Sequence, residues 1–336
     1  MLSLVCREPG TLELEDRAKP ERAANEVLIR VRRVGICGTD MHIFRGRQPY
    51  LSYPRVMGHE FAGHVEAAPD GSALSVGDQV VVMPYLSCGH CAACRKGRTN
   101  CCMNLEVLGV HRDGALAEYI SVPAEFVLAI GDLSLDEAAM IEFLSIGAHA
   151  VRRADIQSGQ RVLVVGAGPI GLAAALFAQL RGGVVTVLDS RADRLDFALE
   201  QLGVANAFAL SPSVGEALAD ATGGEFFDAV FDATGNPRAM ETGFNYVAHG
   251  GTYALISVVT SDITFSDPEF HKRETSLLAC RNATLDDFST VIAAMRAGQV
   301  PTAAFGSHRV TLAELTDMLP QWIEPEAHVI KALVDI

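Results

Sequence analysis

Four cysteines occur at short, regular intervals in one stretch of the chain, and their thiols could hold a metal ion. Cys88, Cys91 and Cys94 are spaced three residues apart, and Cys102 follows eight residues later. Four thiolates on one short loop suit a closed, tetrahedral zinc site of structural character. Cys101 competes with Cys102 for the fourth position. The spacing therefore predicts a structural zinc lobe within residues 88–102.

A second potential metal site combines three different donor types, which are the thiol of Cys37, the imidazole of His59 and the carboxylate of Glu60. This set, with an open fourth position, is what a Lewis-acid zinc needs to bind an alcohol. The zinc lowers the pKa of the hydroxyl, and the alkoxide can then expel hydride toward a nicotinamide. Thr39 could take the hydroxyl proton and His42 could relay it outward. Sequence spacing leaves open whether the three donors meet, and His42 fits equally well as a surface histidine.

A glycine-rich segment matches the G-x-G-x-x-G pattern of dinucleotide-binding proteins. It consists of Gly166, Ala167, Gly168, Pro169, Ile170 and Gly171. The segment directly follows a predicted strand (161–165) and opens a predicted helix (170–180), which is the context that the pattern requires. Gly166 permits the tight turn, Gly168 lets the backbone approach the pyrophosphate, and Gly171 allows close packing of helix on strand. The N–H groups at the start of the helix would face the phosphates.

Asp189 ends the next predicted strand (184–188), at the distance from the glycines where an acidic residue contacts the adenosine ribose. Its charge would repel a 2′-phosphate, so NAD is favoured over NADP. Arg191 and Arg194 could instead accept such a phosphate, and Arg194 is included in the predicted cofactor site. Asp189 could also be only a turn residue or helix cap.

The arrangement of predicted elements divides the chain into two kinds of structure. Short strands and turns fill the first third, for example 27–34 and 80–82, and from about residue 146 strands alternate with helices. Such alternation indicates a doubly wound parallel sheet. We predict an α/β protein with a β-rich catalytic domain over 1–144 and a nucleotide-binding domain over 145–284. A C-terminal segment over 285–336, with a helix at 285–297 and a strand at 328–336, is expected to rejoin the first domain.

Composition narrows the classes of partner. The net charge of −14 argues against a nucleic-acid-binding zinc module, because binding phosphates requires a positive surface. No apolar run approaches the ~20 residues that span a bilayer, and no early segment has the features of a signal peptide. Five of the eight cysteines fall within residues 88–102, which favours metal binding in a reducing compartment over disulfides. We therefore expect a cytoplasmic protein.

Taken in order, these motifs resemble the zinc-containing medium-chain dehydrogenase/reductase family over nearly the whole chain. Within it, the sequence looks most like the polyol and threonine dehydrogenase branch, and it is similar to bacterial L-galactonate and L-gulonate 5-dehydrogenases in four further segments. These segments are 52–55, 97–102, 266–272 and 281–284. The resemblance implies a GroES-like catalytic domain, a Rossmann domain, one catalytic and one structural zinc, and a homodimer or homotetramer.

The resemblance also implies a ligand set for the catalytic zinc, namely Cys37, His59 and either Glu60 or Glu142. In extended chain His59 and Glu60 would face opposite ways, so both reach one metal only if the backbone turns there. Asp40 fits a hydrogen-bonding partner for His59.

A sugar-acid substrate needs a cation for its carboxylate, and an arginine suits that geometry. Arg281 with Asn282 is the preferred pair because it follows the predicted last strand of the nucleotide-binding domain, and His111 is a further candidate. The favoured function is zinc-dependent, NAD-linked oxidation of a secondary alcohol on a sugar acid. Alternatives are a neutral polyol or threonine-type dehydrogenase, a less favoured NADP-linked aldehyde reductase, and a non-catalytic zinc-binding regulatory protein.

Overall fold

The computed structural model describes residues 1–336, which divide into two compact units. The first unit contains Met1–Glu142 and Ala283–Ile336, and the second contains Phe143–Asn282. The model confirms the α/β class, since both strands and helices form from the segments whose periodicity predicted them. No helix combines the length and the apolar character needed to cross a membrane.

Strands dominate the first unit. They are β1 (Leu2–Glu8), β2 (Thr11–Asp16), β3 (Glu26–Ile36), β4 (Arg55–Val56), β5 (Glu60–Ala67), β6 (Gln79–Val82), β7 (Tyr85–Leu86), β8 (Glu106–Val107), β9 (Tyr119–Pro123), β10 (Val127–Ala129), β17 (Gly306–Thr311) and β18 (Lys331–Asp335). The helices of this unit are α1 (Gly38–Phe44), α2 (Leu135–Ala138), α9 (Leu285–Arg296), α10 (Thr302–Phe305) and α11 (Leu315–Trp322). Short 3-10 helices span Cys94–Lys96, Thr99–Cys101, Ala124–Phe126 and Pro325–Ala327.

The main sheet of the first unit has seven strands, in the order β10-β6-β5-β3-β18-β17 with β9 also paired to β3. Its long central strand β3 is antiparallel to both β5 and β18. The last strand of the chain therefore lies beside the strand that leads to Cys37. A three-stranded sheet (β2-β1-β4) and a two-stranded one (β7-β8) complete the strands of this unit.

The second unit is a six-stranded parallel sheet with helices between the strands. Its strands are β11 (Arg161–Val165), β12 (Val184–Asp189), β13 (Asn206–Ala209), β14 (Phe227–Asp232), β15 (Val247–Leu255) and β16 (Ser276–Ala279). Its helices are α3 (Ile141–Ala154, whose first two residues belong to the first unit), α4 (Pro169–Leu180), α5 (Ala192–Glu200), α6 (Val214–Ala221), α7 (Pro237–Gly243) and α8 (Asp267–Lys272), with a 3-10 turn at Phe244–Tyr246.

The strand order of this sheet, β13-β12-β11-β14-β15-β16, reverses direction between β11 and β14. In open parallel sheets, ligands bind at the carboxyl ends of the strands at such a point. The strands β11 and β14 are apolar because helices cover both faces, and Leu163 and Val230 are fully buried. The glycine-rich segment follows β11 and so lies at this switch point.

The predicted strand at 328–336 begins later than expected. The 3-10 turn Pro325–Ala327 is followed by His328 in a left-handed conformation (φ 50°), and β18 starts only at Lys331. Extended pairing cannot begin at a residue with positive φ. The predicted strands at 161–165 and 184–188 are confirmed to within one residue.

Candidate functional site

Four thiols of the 88–102 lobe converge on one point. The Sγ atoms of Cys88, Cys91, Cys94 and Cys102 all lie within 4.8 Å of one another. Two 3-10 turns reverse the chain between them, and Cys102 Sγ accepts the backbone N–H groups of Cys88 (3.2 Å) and Asn104 (3.3 Å). Such N–H donors stabilise thiolates, which are the form that binds metal.

The environment of the lobe separates the two candidates for its fourth position. Cys102 is buried within the cluster, whereas the side chain of Cys101 is exposed and lies outside it. Backbone N–H groups, that of Met103 first, lower the pKa of Cys91 to about 6. A thiol with such a pKa is largely ionised near neutral pH. The lobe therefore has the donor type and the number of donors that a structural zinc requires.

A second cluster joins Cys37, His59 and Glu60, whose ligand atoms also lie within 4.8 Å of one another. Cys37 follows β3 and precedes α1, and Glu60 is the first residue of β5, paired across the ladder with Gly35. His59 stands outside the strand, just after Gly58, whose φ is +87°. This turn removes the strict alternation that would send His59 and Glu60 to opposite faces.

Asp40 holds this cluster in shape. Its carboxylate accepts the backbone N–H of Cys37 (2.9 Å) and that of Gly58 (3.0 Å), and it lies 4.0 Å from His59 Nδ1. His59 Nδ1 is buried with no other partner, so Asp40 is the group that faces it. The position of Asp40 is that of an orienting group, which leaves Nε2 of His59 for a metal.

Two buried glutamates lie at the cluster, and their surroundings differ. Glu60 Oε1 is buried without a hydrogen-bond partner, whereas Glu60 Oε2 accepts a bond from Lys331. Glu142 accepts a hydrogen bond from the Tyr85 hydroxyl and lies outside the three-atom cluster. Burial first, and then the charge of Glu60, raise the pKa of Glu142 well above its usual range. The structure thus brings Glu60, rather than Glu142, together with Cys37 and His59.

The charges of this buried cluster fit a divalent cation. Burial first, and then the charge of the Glu60 carboxylate, raise the pKa of the Cys37 thiol to about 12. Burial also raises the pKa of Asp40. A zinc ion would supply positive charge where the fold gathers anionic groups, and the unpartnered oxygen of Glu60 would gain a ligand bond. The sulfur, nitrogen and oxygen donors are those that zinc accepts.

Lys331 was not among the candidates from the sequence, although it is 1% exposed and sits beside Glu60. Burial alone would lower its pKa, but the charges of Glu60 and Cys37 outweigh that effect and raise it. A lysine near a chain terminus is typical of a solvated surface. Its one distinguishing signal is its place within an apolar strand, next to Ala332-Leu333-Val334.

The predicted dinucleotide motif forms a strand–turn–helix. Gly166 has a φ of +95°, Gly168 is the N-cap of α4, and Pro169 and Ile170 open the helix. A Cβ at Gly171 would overlap the carbonyl oxygen of Gly166, whereas a Cβ at Gly168 would meet no atom within 4 Å. The glycine at 171 is therefore required for packing, and the open space at 168 is where another molecule could approach the backbone.

Asp189 is anchored to the same turn. Its carboxylate accepts the N–H of Ala167 (2.6 Å) and that of Arg191 (2.8 Å). Arg191 forms a salt bridge of 2.7 Å with Asp193. Arg194 is buried, and burial together with the charge of Arg191 lowers its pKa. The nearest charge to the glycine turn is therefore the carboxylate of Asp189.

The remaining predicted site residues are distributed over both units. In the first unit, Thr39 and His42 lie three residues apart on α1 and so share a face of that helix. His111 is exposed, and its Nδ1 accepts the backbone N–H of Val107 (3.1 Å). In the second unit, exposed Arg281 and half-buried Asn282 (φ 53°) follow β16 at the carboxyl end of the sheet.

Comparison with known proteins matches two successive parts of the chain to known families. Residues 23–132 match the alcohol dehydrogenase GroES-like domain, and residues 169–297 match the zinc-binding dehydrogenase domain. The chain is 41% identical to L-galactonate-5-dehydrogenase of Escherichia coli K12 over 98% of both chains. It is 35% identical to L-threonine 3-dehydrogenase of Idiomarina loihiensis over 78% of both. It is also similar to the crystal structure of an alcohol dehydrogenase from E. coli CFT073 in complex with NADH, with a TM-score of 0.94 and 30% sequence identity. The similarity covers 100% of this chain and 99% of that one.

Replacing individual lobe cysteines tests the assignment of the fourth thiol. Cys102→Ser removes a buried ligand and should release one zinc ion per chain and lower the thermal midpoint, because metal binding to such a lobe is part of its folding free energy. Cys101→Ser is the matched control and should keep full zinc content. The measurement is metal content by mass spectrometry, and a loss of zinc from the Cys101 variant alone would reverse the assignment.

Proposed function

Since the chain belongs to the zinc-binding alcohol dehydrogenases, we propose that it oxidises a secondary hydroxyl of a sugar acid such as L-galactonate or L-gulonate, with NAD as hydride acceptor. The observation that carries the reaction type is the buried cluster of Cys37, His59 and Glu60. A bound zinc ion would act there as a Lewis acid that lowers the pKa of a substrate hydroxyl. Cys37, His59 and Glu60 would hold the ion, and Asp40, whose carboxylate lies 4.0 Å from His59 Nδ1, would orient that ring.

The proton of the substrate hydroxyl leaves by way of α1. We assign Thr39 Oγ1 as the first acceptor and His42 as the group that passes the proton to solvent, since both lie on one face of the helix. His42 is exposed at the surface, which suits the outer end of such a relay. Glu142 is the alternative carboxylate ligand, and burial together with the charge of Glu60 raises its pKa well above its usual range.

The preference for NAD is supported by Asp189. Two backbone N–H groups hold its carboxylate at the end of β12, where the family's adenosine ribose binds. A carboxylate there accepts hydrogen bonds from ribose hydroxyls and repels a 2′-phosphate. The pyrophosphate would lie at Gly168 and the N-terminus of α4. The NADH complex of the similar E. coli CFT073 enzyme supports this preference.

The substrate class is supported by the similarity to L-galactonate-5-dehydrogenase over 98% of the chain. Arg281 with Asn282 is the preferred pair for binding the substrate carboxylate, and His111 is a separate candidate. The Nδ1 of His111 accepts a backbone N–H, so its Nε2 is the nitrogen that carries a proton to donate. A threonine-type substrate is the second candidate, favoured by the similarity to L-threonine 3-dehydrogenase.

We further propose a cytoplasmic location, since four metal-binding thiols require reducing conditions. The family resemblance leads us to expect a homodimer or homotetramer. A purely regulatory role is disfavoured because Cys37, His59 and Glu60 place a complete set of metal donor atoms within 4.8 Å of one another.

A substrate panel tests the proposed reaction. Zinc-loaded protein is incubated with hexonic acids, the matching polyols and L-threonine, with NAD and NADP in parallel, and reduced cofactor is measured by absorbance. We expect turnover of one aldonate with NAD and little with polyols. Turnover of polyols or of threonine would instead assign the chain to that substrate class, and no turnover by protein that holds both zinc ions would contradict the enzymatic proposal.

In the same assay, Arg281→Ala should raise KM for the aldonate about 10- to 100-fold, since a hydrogen bond to a charged group contributes about 1.5–3 kcal/mol. Arg181→Ala, at the exposed C-terminal end of α4, is the control.

The role of His42 predicts a pH dependence. Partial desolvation of its ring first, and then the charges of Arg47 and Arg45, lower the pKa of the surface residue His42 below its usual range. The neutral, proton-accepting form therefore persists to lower pH, and activity should fall only as the pH drops through this lowered pKa. Arg47→Gln removes one of these charges and should move the acidic limb of the kcat profile to higher pH, whereas His42→Ala should abolish that limb. An acidic limb that is the same in all three proteins would exclude His42 from the relay.

A further inference from the structure

Lys331 is a buried cation that the proposed reaction does not yet use. It is 1% exposed, and its Nζ donates to Glu60 Oε2 at 2.5 Å and to the backbone oxygen of Ile36 at 3.1 Å. Ile36 directly precedes Cys37 and His59 directly precedes Glu60, so one ammonium group contacts both segments that carry the three clustered donors. Burying a charge is expensive unless it is paired, and both partners here are fully enclosed.

The two oxygens of Glu60 have different surroundings. Oε2 is held by Lys331, whereas Oε1 is buried with no partner. Gly35, the residue opposite Glu60 in the β3–β5 ladder, makes this arrangement possible, because a Cβ at that position would lie 2.5 Å from Oε2. One oxygen of Glu60 is therefore held by Lys331, and the other is left without a hydrogen-bond partner.

We propose that Lys331 is a positioning residue that restricts Glu60 to a single oxygen at the metal centre. The inference rests on the proposed role of Cys37, His59 and Glu60 as metal ligands. With Oε2 held by Lys331, Glu60 would offer Oε1 alone to the metal, so a coordination position would stay open for the substrate hydroxyl. The ammonium also withdraws negative charge from the carboxylate, which preserves the Lewis acidity that the reaction needs.

A merely structural lysine would behave differently. Some residues only hydrogen-bond to a metal ligand and hold it in place. Mutating such a residue typically lowers metal affinity by about 10- to 100-fold. If Lys331 instead restricts Glu60, removing it frees Oε2 for the metal, and the ion is retained with more protein ligands around it.

The test uses full-length protein in which cobalt(II) replaces zinc. Tetrahedral cobalt(II) absorbs visible light more strongly than five- or six-coordinate cobalt(II), so the spectrum reports the number of ligands. Lys331→Met is compared with wild type, with Lys331→Arg, which keeps the charge, and with the same substitution in a Glu60→Gln background. The four-cysteine lobe contributes equally to all spectra and cancels in the differences. Zinc affinity is measured by competition with a chromophoric chelator.

We expect Lys331→Met to retain the second metal ion with an affinity within about tenfold of wild type and to show weaker cobalt absorption. Lys331→Arg should keep the wild-type spectrum, and Lys331→Met should have no spectral effect when Glu60 is already Gln. Because an unpaired buried Glu60 could prevent folding, Gly35→Ala is a second route. Its Cβ would push Oε2 away from Lys331 and should weaken the absorption in the same way.

Three results would overturn the inference. One is loss of the second metal ion from Lys331→Met, and another is an unchanged spectrum with the ion retained in both Lys331→Met and Gly35→Ala. The third is an equal effect of Lys331→Met with and without Glu60. A wild-type chain that binds only the lobe metal would be a different failure, because it would remove the proposed catalytic centre itself.

Discussion

The antiparallel pairing of β3 with β5 places Gly35 opposite Glu60, and the candidate metal centre depends on this strand register. Cys37 follows at the end of β3, and Gly58 turns the chain so that His59 reaches the same point. Asp40 then bonds to the backbone on both sides of the cluster and fixes the distance between the two segments. A shift of one residue in this ladder would reverse the face of every side chain in β5 and separate the donors.

The second constraint on this centre is its charge. Cys37, Asp40, Glu60 and Glu142 are gathered where water is largely excluded, and Lys331 is the cation that the chain itself supplies there. Elevated pKa values of Cys37, Asp40 and Glu142 show the cost of ionising these groups without a metal. Binding of a divalent ion would therefore be coupled to the ionisation of its own ligands and to the stability of the surrounding strands. Since Lys331 comes from the last strand of the chain, the C-terminal segment is part of this centre.

The sequence predicted local features well because local spacing determines them. The strand–glycine–helix unit at 161–180 and the cysteine lobe are each contained in one short stretch, so composition and spacing were sufficient. Choices that depend on tertiary packing were left open, such as Cys101 against Cys102 and Glu60 against Glu142. Lys331 was missed because its partner Glu60 is distant in the sequence and only strand pairing brings them together. The late start of β18 was also unpredicted, since nothing in the residue types marks His328 as left-handed.

The central claim is that this chain holds a second, buried metal ion at Cys37, His59 and Glu60, apart from the four-cysteine lobe. Anomalous diffraction from crystals of the zinc-loaded protein, recorded on both sides of the zinc absorption edge, tests it most directly. The account predicts two zinc peaks per chain, one among the four lobe thiols and one among the thiol of Cys37, the imidazole of His59 and the carboxylate of Glu60. A single peak at the lobe, from crystals grown with excess zinc, would contradict it.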